Sequence, residues 1–469
     1  MKRLIFTLII LMLTLNFAAF ASESRVDSLA VPSTLVDDNF GMVLEPWYVN
    51  STSNFVDFEP ITAPLNFYAL AKYTIPTPIE KLNLGVIINY PYDELSYIPN
   101  IATGIPAGFL TANTTPLSAF TLTDYSKDRI DVLLGLNKIL VITFLKPYLG
   151  IGYAGDFSVT TASNELNGTE TITEESISQL KIILGSTVDL GFIDISPTIK
   201  VYLPSAVNSV SNLSTNVQNY VNYRYHTLLS SFNFSVDVPL KLKLDGDKTY
   251  IKGFVNYFNY YLPSVQITKK DLNGNGNFGD PGDEDTQITN NYGVSSYSIL
   301  ASYNTYILNN ILILLGTGYI SSTSDREITS RGTVTTLVGI NTNTETNDNQ
   351  YTTKNNGAIV PIFVSTEIPF TDWLTFRVGV AGNPLEITYS YTKNGKDGQA
   401  TVNISSSSSL LSSFMIGFSV KPIKGLSLDW VLNNNFINNV FINGRLPWII
   451  SGNNLFDNVS SKFSIEWVF

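Results

Sequence analysis

The sequence predicts an all-β chain, a closed antiparallel β-barrel of about 16 strands (14 to 18) that crosses a membrane. Three observations carry this. Strict alternation of apolar and polar residues recurs over stretches of ten or so positions, the period of a strand with one oily and one polar face. The longest wholly apolar runs past the leader, such as Ile139-Leu140-Val141-Ile142 and Ile311-Leu312-Ile313-Leu314-Leu315, fall far short of the ~20 residues of a membrane helix. Only 14% of residues are charged while 44% are hydrophobic, with Tyr 25 and Phe 27, against about 25% charged in soluble domains. A soluble chain of 469 residues would usually divide into two or three domains, unless one large barrel takes up its length.

The chain opens with a leader over residues 1–21: Lys2 and Arg3, an apolar stretch from Leu4 to Leu15, then Ala19-Phe20-Ala21, a small-x-small site that predicts cleavage after Ala21. Removing it takes two bases and no acid, leaving 26 basic against 39 acidic residues, a net charge of −13 over 22–469. Residues 22–38 form a short periplasmic N-terminal segment and 39–469 the barrel. The segment is too short for a folded plug domain, which predicts an open or loop-narrowed pore.

The strands follow from reading two faces separately. From 149 to 159 one face is Leu149, Ile151, Tyr153, Gly155, Phe157 and Val159, the other Gly150, Gly152, Ala154, Asp156 and Ser158. From 193 to 203, Ile193, Ile195, Pro197, Ile199, Val201 and Leu203 oppose Asp194, Ser196, Thr198, Lys200 and Tyr202; 228 to 238 divides in the same way. A soluble sandwich also alternates, but its outer faces carry many Lys and Glu, whereas these polar faces are mostly Ser, Thr, Asn, Gly and Tyr. The predicted strands are 39–49, 63–75, 81–90, 128–137, 146–159, 176–190, 193–203, 225–238, 249–262, 295–308, 311–322, 357–368, 373–391, 406–421, 424–434 and 459–469. Short links, such as Gly191-Phe192 and Asn309-Asn310, alternate with long ones at 91–127, 160–175, 204–224, 263–294, 323–356, 392–405 and 435–458, the pattern of short periplasmic turns and long extracellular loops.

The chain ends Lys462-Phe463-Ser464-Ile465-Glu466-Trp467-Val468-Phe469, with Phe463, Ile465, Trp467 and Phe469 on one face. This resembles the C-terminal strand of bacterial outer-membrane β-barrel proteins, and the chain as a whole is similar to the porin-like members of that class. The resemblance implies that the four residues are an assembly signal read by the barrel-assembly machinery, that the barrel lies in outer-membrane lipid, and that a homotrimer is one possible assembly, although no stretch marks its interface. Nucleic acid is not an expected partner.

Sixteen strands leave an aqueous channel that wall side chains do not fill. Passive diffusion of small solutes is therefore the expected function, with a weak lean to cations from the net −13. Parity names pore-lining candidates: Lys72, Arg129, Asp131, Asp156, Lys181, Asp189, Asp194, Lys200, Asp237, Lys252, Glu367, Arg377, Asp429 and Glu466. Both signs occur and no arginine ladder marks an anion pore.

Two loops stand apart. Residues 91–127 hold Ile98, Ile101, Ile105, Phe109, Leu110, Leu117 and Phe120 with few charges, which suits a constriction in the lumen, a contact for hydrophobic solutes, or a packed cap. In 271–285, Asp271, Asn273 and Asn275 stand where a calcium loop places its early ligands, but Gly282 occupies the position of the bidentate Glu. Asp280, Asp283 or Glu284 would have to substitute for calcium to bind.

No enzyme is expected. Cysteine is absent, which removes disulfides, thiolate metal sites and a cysteine nucleophile. The only histidine, His226, shares parity with Leu228 and Phe232, the outward face, rather than with a nucleophile. Two other functions compete with diffusion: a surface adhesin or antigen on the barrel, for which the Asn/Thr/Ser-rich loops would serve, and a transporter for hydrophobic compounds, which rests on 91–127 and lacks an N-terminal hatch.

Overall fold

The computed structural model describes residues 29–37, 42, 45–51, 54–60, 67–77, 81–88, 130–138, 142–164, 169–214, 221–229, 231–245, 248–271, 284–308, 310–338, 341–395, 398–432 and 460–469. These hold eighteen strand segments. They are β1 (Phe55–Pro60), β2 (Phe67–Pro76), β3 (Lys81–Ile88), β4 (Ile130–Leu136), β5 (Leu145–Asn164) and β6 (Thr169–Asp189). Then come β7 (Ile193–Ile195), β8 (Thr198–Ser214), β9 (Val221–Leu228), β10 (Asn233–Asp245), β11 (Thr249–Asp271) and β12 (Glu284–Ile307). The last are β13 (Ile311–Val338), β14 (Asn341–Thr371), β15 (Leu374–Asn394), β16 (Ala400–Ile423), β17 (Leu426–Leu432) and β18 (Ser460–Val468).

Every neighbouring pair is antiparallel, and β1 meets β18 from Phe55↔Val468 to Phe58↔Ile465, which closes the sheet. Two segment pairs are single strands with a break. Both β7 and β8 pair with β6 and β10, and the break between them falls at Ser196-Pro197, where proline has no N–H for the ladder. Likewise β9 and β10 both lie between β8 and β11. The result is a barrel of sixteen strands, an architecture consistent with an outer-membrane barrel.

Tight turns at one end join the strands. Gly191 and Gly425 lie there at φ 83° and 85°, which glycine adopts without strain. At the other end the connections differ from those expected. Much of 160–175, 204–224, 263–294, 323–356 and 392–405 is paired strand, since β13 and β14 stay in register to Val338↔Asn341 and β11 with β12 to Lys270↔Glu284. Both faces of these extensions are mostly polar, so no oily alternation marks them. Their β-branched threonines, as in Thr333↔Thr346, nevertheless favour extended backbone.

The first strand also differs from its expected place. It is Phe55–Pro60 rather than 39–49, and the described residues before it form a 3₁₀ turn at Ser33–Leu35 and a short helix, α1 (Tyr48–Ser51). Glu45-Pro46 interrupts the apolar residues here, and a proline inside the run removes a ladder donor.

The segment preceding β1 runs inside the barrel. Leu35 and Val36 carbonyls accept from Ser302 of β12 and Lys252 of β11, the Leu29 carbonyl accepts from Ser365 of β14, and Asn50 donates to the Pro147 carbonyl of β5. Such a short stretch touches strands all around the circumference only by lying across the lumen. Leu29, Leu35, Val36, Met42, Trp47, Tyr48 and Val49 are buried with Leu70, Leu133, Ile183, Phe254, Leu312 and Phe363 of the wall, a single apolar core. It sits towards the short-turn end, since Lys252 and Leu312 are a few residues from the turns before β11 and β13. The expected open or loop-narrowed pore is thus corrected: described residues of the expected N-terminal segment and of the expected strand 39–49 cross the lumen.

Candidate functional site

The site is the interior of the short-turn half, where the inserted segment meets charged wall residues. Its centre is Lys252, which is buried. Its Nζ donates to the Val36 carbonyl at 2.9 Å, to the Tyr48 hydroxyl at 2.8 Å and to Glu45 Oε2 at 3.1 Å. Asp37 Oδ1 lies 3.6 Å away, and the ammonium is 5.1 Å from the Tyr48 ring centroid, within cation–π range. Lys241 of β10 holds the other Asp37 oxygen at 2.7 Å, and the Tyr48 hydroxyl donates to Asp37 at 3.0 Å.

The two carboxylates respond differently. Burial pushes Glu45 up to about 7 against the pull of Lys252. Burial also raises Asp37, but Lys252 and Lys241 together outweigh it and hold its carboxyl below the usual range. One acid is therefore poised near neutrality and the other is firmly ionised.

Glycines in the wall make room for the segment. A Cβ on Gly379 of β15 would fall on the Leu29 backbone, one on Gly135 of β4 would meet the Asn50 side chain, and one on Gly85 of β3 would meet Met42 Sδ at 3.0 Å.

Elsewhere the interior charges form pairs. Asp131 and Lys181 meet at 2.8 Å although β5 lies between their strands, because Gly152 of β5 stands in their row without a side chain. Lys200 meets Asp237 at 2.9 Å. Arg377 bonds Glu367 at 2.6 Å and reaches Asp429 diagonally over β16, where Gly417 stands opposite Arg377 and Ser419 opposite Asp429. At the rim, Asp189 takes Lys146 at 2.8 Å and Asp194 takes Lys243 at 2.8 Å. Lys72 is buried and Glu466 half-buried, paired in register with Asp57. Arg129 and the Asp156 side chain lie outside the described residues.

The other sequence candidates stand apart from this site. Asp271 ends β11 opposite Val221, while Asn273, Asn275, Asp280, Asp283 and residues 91–127 lie outside the described residues. Among the described residues no group of three His, Asp or Glu side chains could hold a metal ion. His226 pairs with Gln266 and Asn208 in the ladder, and its side chain is not among those described. Trp467 and Phe469 are exposed at the C-terminus with ring centroids 6.0 Å apart, while Ile465 is buried and Phe463 lies opposite Trp430.

Sequence reasoning missed Asp37, Glu45, Tyr48 and Lys241. The available signal was Glu45-Pro46 inside a run that lacks clean alternation, which argues against a strand and leaves its apolar side chains in need of another cover. Comparison with protein-family models, curated proteins and solved structures finds no match.

Proposed function

We propose that this chain is an outer-membrane channel for small solutes, with a weak preference for cations, and that its N-terminal segment closes the lumen until it moves. One observation carries the reading: the described residues of the N-terminal segment, 29–37, 42 and 45–51, cross a sixteen-strand barrel, and the Lys252 ammonium of the wall bonds three of them. A barrel of this size has room for solute once that segment shifts. The net −13 of residues 22–469 supports the cation preference. The outward apolar face supports a lipid surrounding, with Leu184, Ile199, Tyr257, Ile299 and Val364 all exposed. In this reading the protein has no catalytic role, and its exposed terminal aromatics serve the assembly machinery.

The test is single-channel conductance of the mature protein in a planar bilayer under a salt gradient, beside a variant lacking residues 22–51. Rare openings in the intact protein and large steady steps in the variant, with a cation-selective reversal potential, are expected. Equal steady conductance in both would remove the gate. Silence from both, in folded protein, would remove the channel.

A second reading, transport of hydrophobic compounds, has an observation of its own. Tyr202, Phe258 and Tyr260 cluster on the inward face, with Phe258 and Tyr260 stacked at 5.6 Å and Tyr202 5.9 Å from Tyr260. Apolar aromatics are unusual on a lumen wall that serves only ions. Uptake of a radiolabelled long-chain alkane by proteoliposomes would favour it over diffusion of ions.

A further inference from the structure

The outer face of β11 to β14 changes character along its length. Nearest the short turns, its cross-strand rows are apolar: Ile251, Tyr303, Leu315 and Val364 in one, and Val255, Ile299 and Tyr319 further along. A pair of tyrosines ends this band, Tyr297 and Tyr319, with rings 5.6 Å apart and hydroxyls at 3.5 Å. Ten residues from Ile307 to Tyr297 at ~3.3 Å each, tilted by about 40°, rise about 25 Å, the height of a lipid-facing band bounded by aromatics.

Immediately beyond that pair the rows are polar. Asn259, Ser295, Thr323 and Asn356 form one, and Tyr261, Gly293, Asp325 and Lys354 the next. Gly293 has no side chain between Tyr261 and Asp325, which leaves an open depression of about 370 Å³ on the convex side of the wall. Tyr261, Asp325 and Lys354 stand exposed around it, Lys354 Nζ is 4.0 Å from Asp325, and Glu327 on its rim accepts from Gln350 at 2.7 Å.

We infer that this depression binds the sugar head group of an outer-leaflet glycolipid of the lipopolysaccharide kind. An aromatic face flanked by amides, hydroxyls and a carboxylate matches the apolar ring faces and hydroxyl rims of a pyranose. Its position fixes the source, since a lipid whose acyl chains lie along the apolar band below Tyr297 presents its head group at the level of Gly293. The inference rests on the outer-membrane reading above.

The experiment is native mass spectrometry of the intact mature protein in detergent, titrated with rough-type lipopolysaccharide and separately with phosphatidylethanolamine. Two variants accompany it. Gly293→Val fills the floor, where an added Cβ finds its nearest neighbour, the Tyr261 ring, at 3.6 Å, so the wall accommodates it; Asp325→Ala removes the acceptor. One retained lipopolysaccharide, no retained phosphatidylethanolamine, at least tenfold weaker retention in both variants and competition by the delipidated oligosaccharide are expected. Equal retention of the two lipids, unaltered retention in both variants, or no competition by the oligosaccharide would overturn the site. Flotation with liposomes separates the two readings, because a protein that fails to co-float refutes the membrane placement itself.

Discussion

The ammonium of Lys252, on the wall of the barrel, lies 3.1 Å from the carboxylate of Glu45, in the segment that crosses its lumen. Glu45 stands 207 residues away in sequence and belongs to no strand, so this contact is not part of a strand ladder.

Replacing Lys252 by Met removes the one cation shared by Val36, Tyr48, Glu45 and Asp37. Leaving buried carboxylates without it costs about 3–5 kcal/mol, so the docked segment loosens while the barrel stays closed. Open probability in a planar bilayer should rise by about a hundredfold or more at that cost, with the heat-modifiable gel mobility of the barrel unchanged. Open probability equal to wild type would show that Lys252 does not hold the segment.

The same contact predicts a pH dependence with a definite sign. Glu45 is raised from 4.5 to about 7 when docked, facing Lys252, Asp37, Asp237 and Tyr48. Between those values the docked state holds a proton that the released state does not, so docking tightens as pH falls from about 7 towards 4.5, by at most about 3 kcal/mol. Above 7 both states are ionised and the slope vanishes. Asp37, held low, acts oppositely: its support for docking fades only as pH drops below the ordinary carboxylate range. Conductance should therefore fall on mild acidification, and Glu45→Gln should abolish that response.

Gly379→Ala would place a methyl group on the Leu29 backbone. The start of the segment should be displaced without loss of strand pairing, which protease cleavage within residues 29–37 would report. Cleavage no faster than in wild type would contradict the close approach.

Arg377 binds Glu367 and Asp429 together. Arg377→Leu strands two carboxylates inside the wall and should lower barrel stability by about 3–5 kcal/mol, read as a lower urea midpoint of unfolding. Adding Asp429→Asn and Glu367→Gln should recover most of the loss, since a buried pair replaced on both sides is nearly neutral.

Much of the barrel was legible because its strands turn mostly apolar residues outward and polar ones towards the interior. That asymmetry leaves a period of two in Leu149 to Val159 and in Ile193 to Leu203. Beyond Tyr319 both faces are mostly polar, the oily alternation vanishes, and the extended hairpins of β13 and β14 read as loops. The break at Pro197 was invisible for a different reason, because the ladder resumes there in the same register and alternation runs through it; near Phe232 the register against β8 and β11 slips by one residue, which no local pattern announces.

The site was legible only in part. Period-two parity says on which side of the wall Asp131, Lys181 or Arg377 stands, since neighbouring side chains must point oppositely. It does not say that Asp131 reaches Lys181 over Gly152, because that depends on which residue of the intervening strand falls in the same row.

The sequence by itself determined the all-β class, the alternating wall and the even strand number, because these follow from local periodicity. Only the tertiary structure decided that residues 29–37, 42 and 45–51 cross the lumen. The apolar side chains and three acids of 29–51 have no local pattern that distinguishes a strand from an inserted segment. Their cover comes from Lys252, Ser302, Ser365 and Gly379, which closure of the barrel brings within reach of the segment.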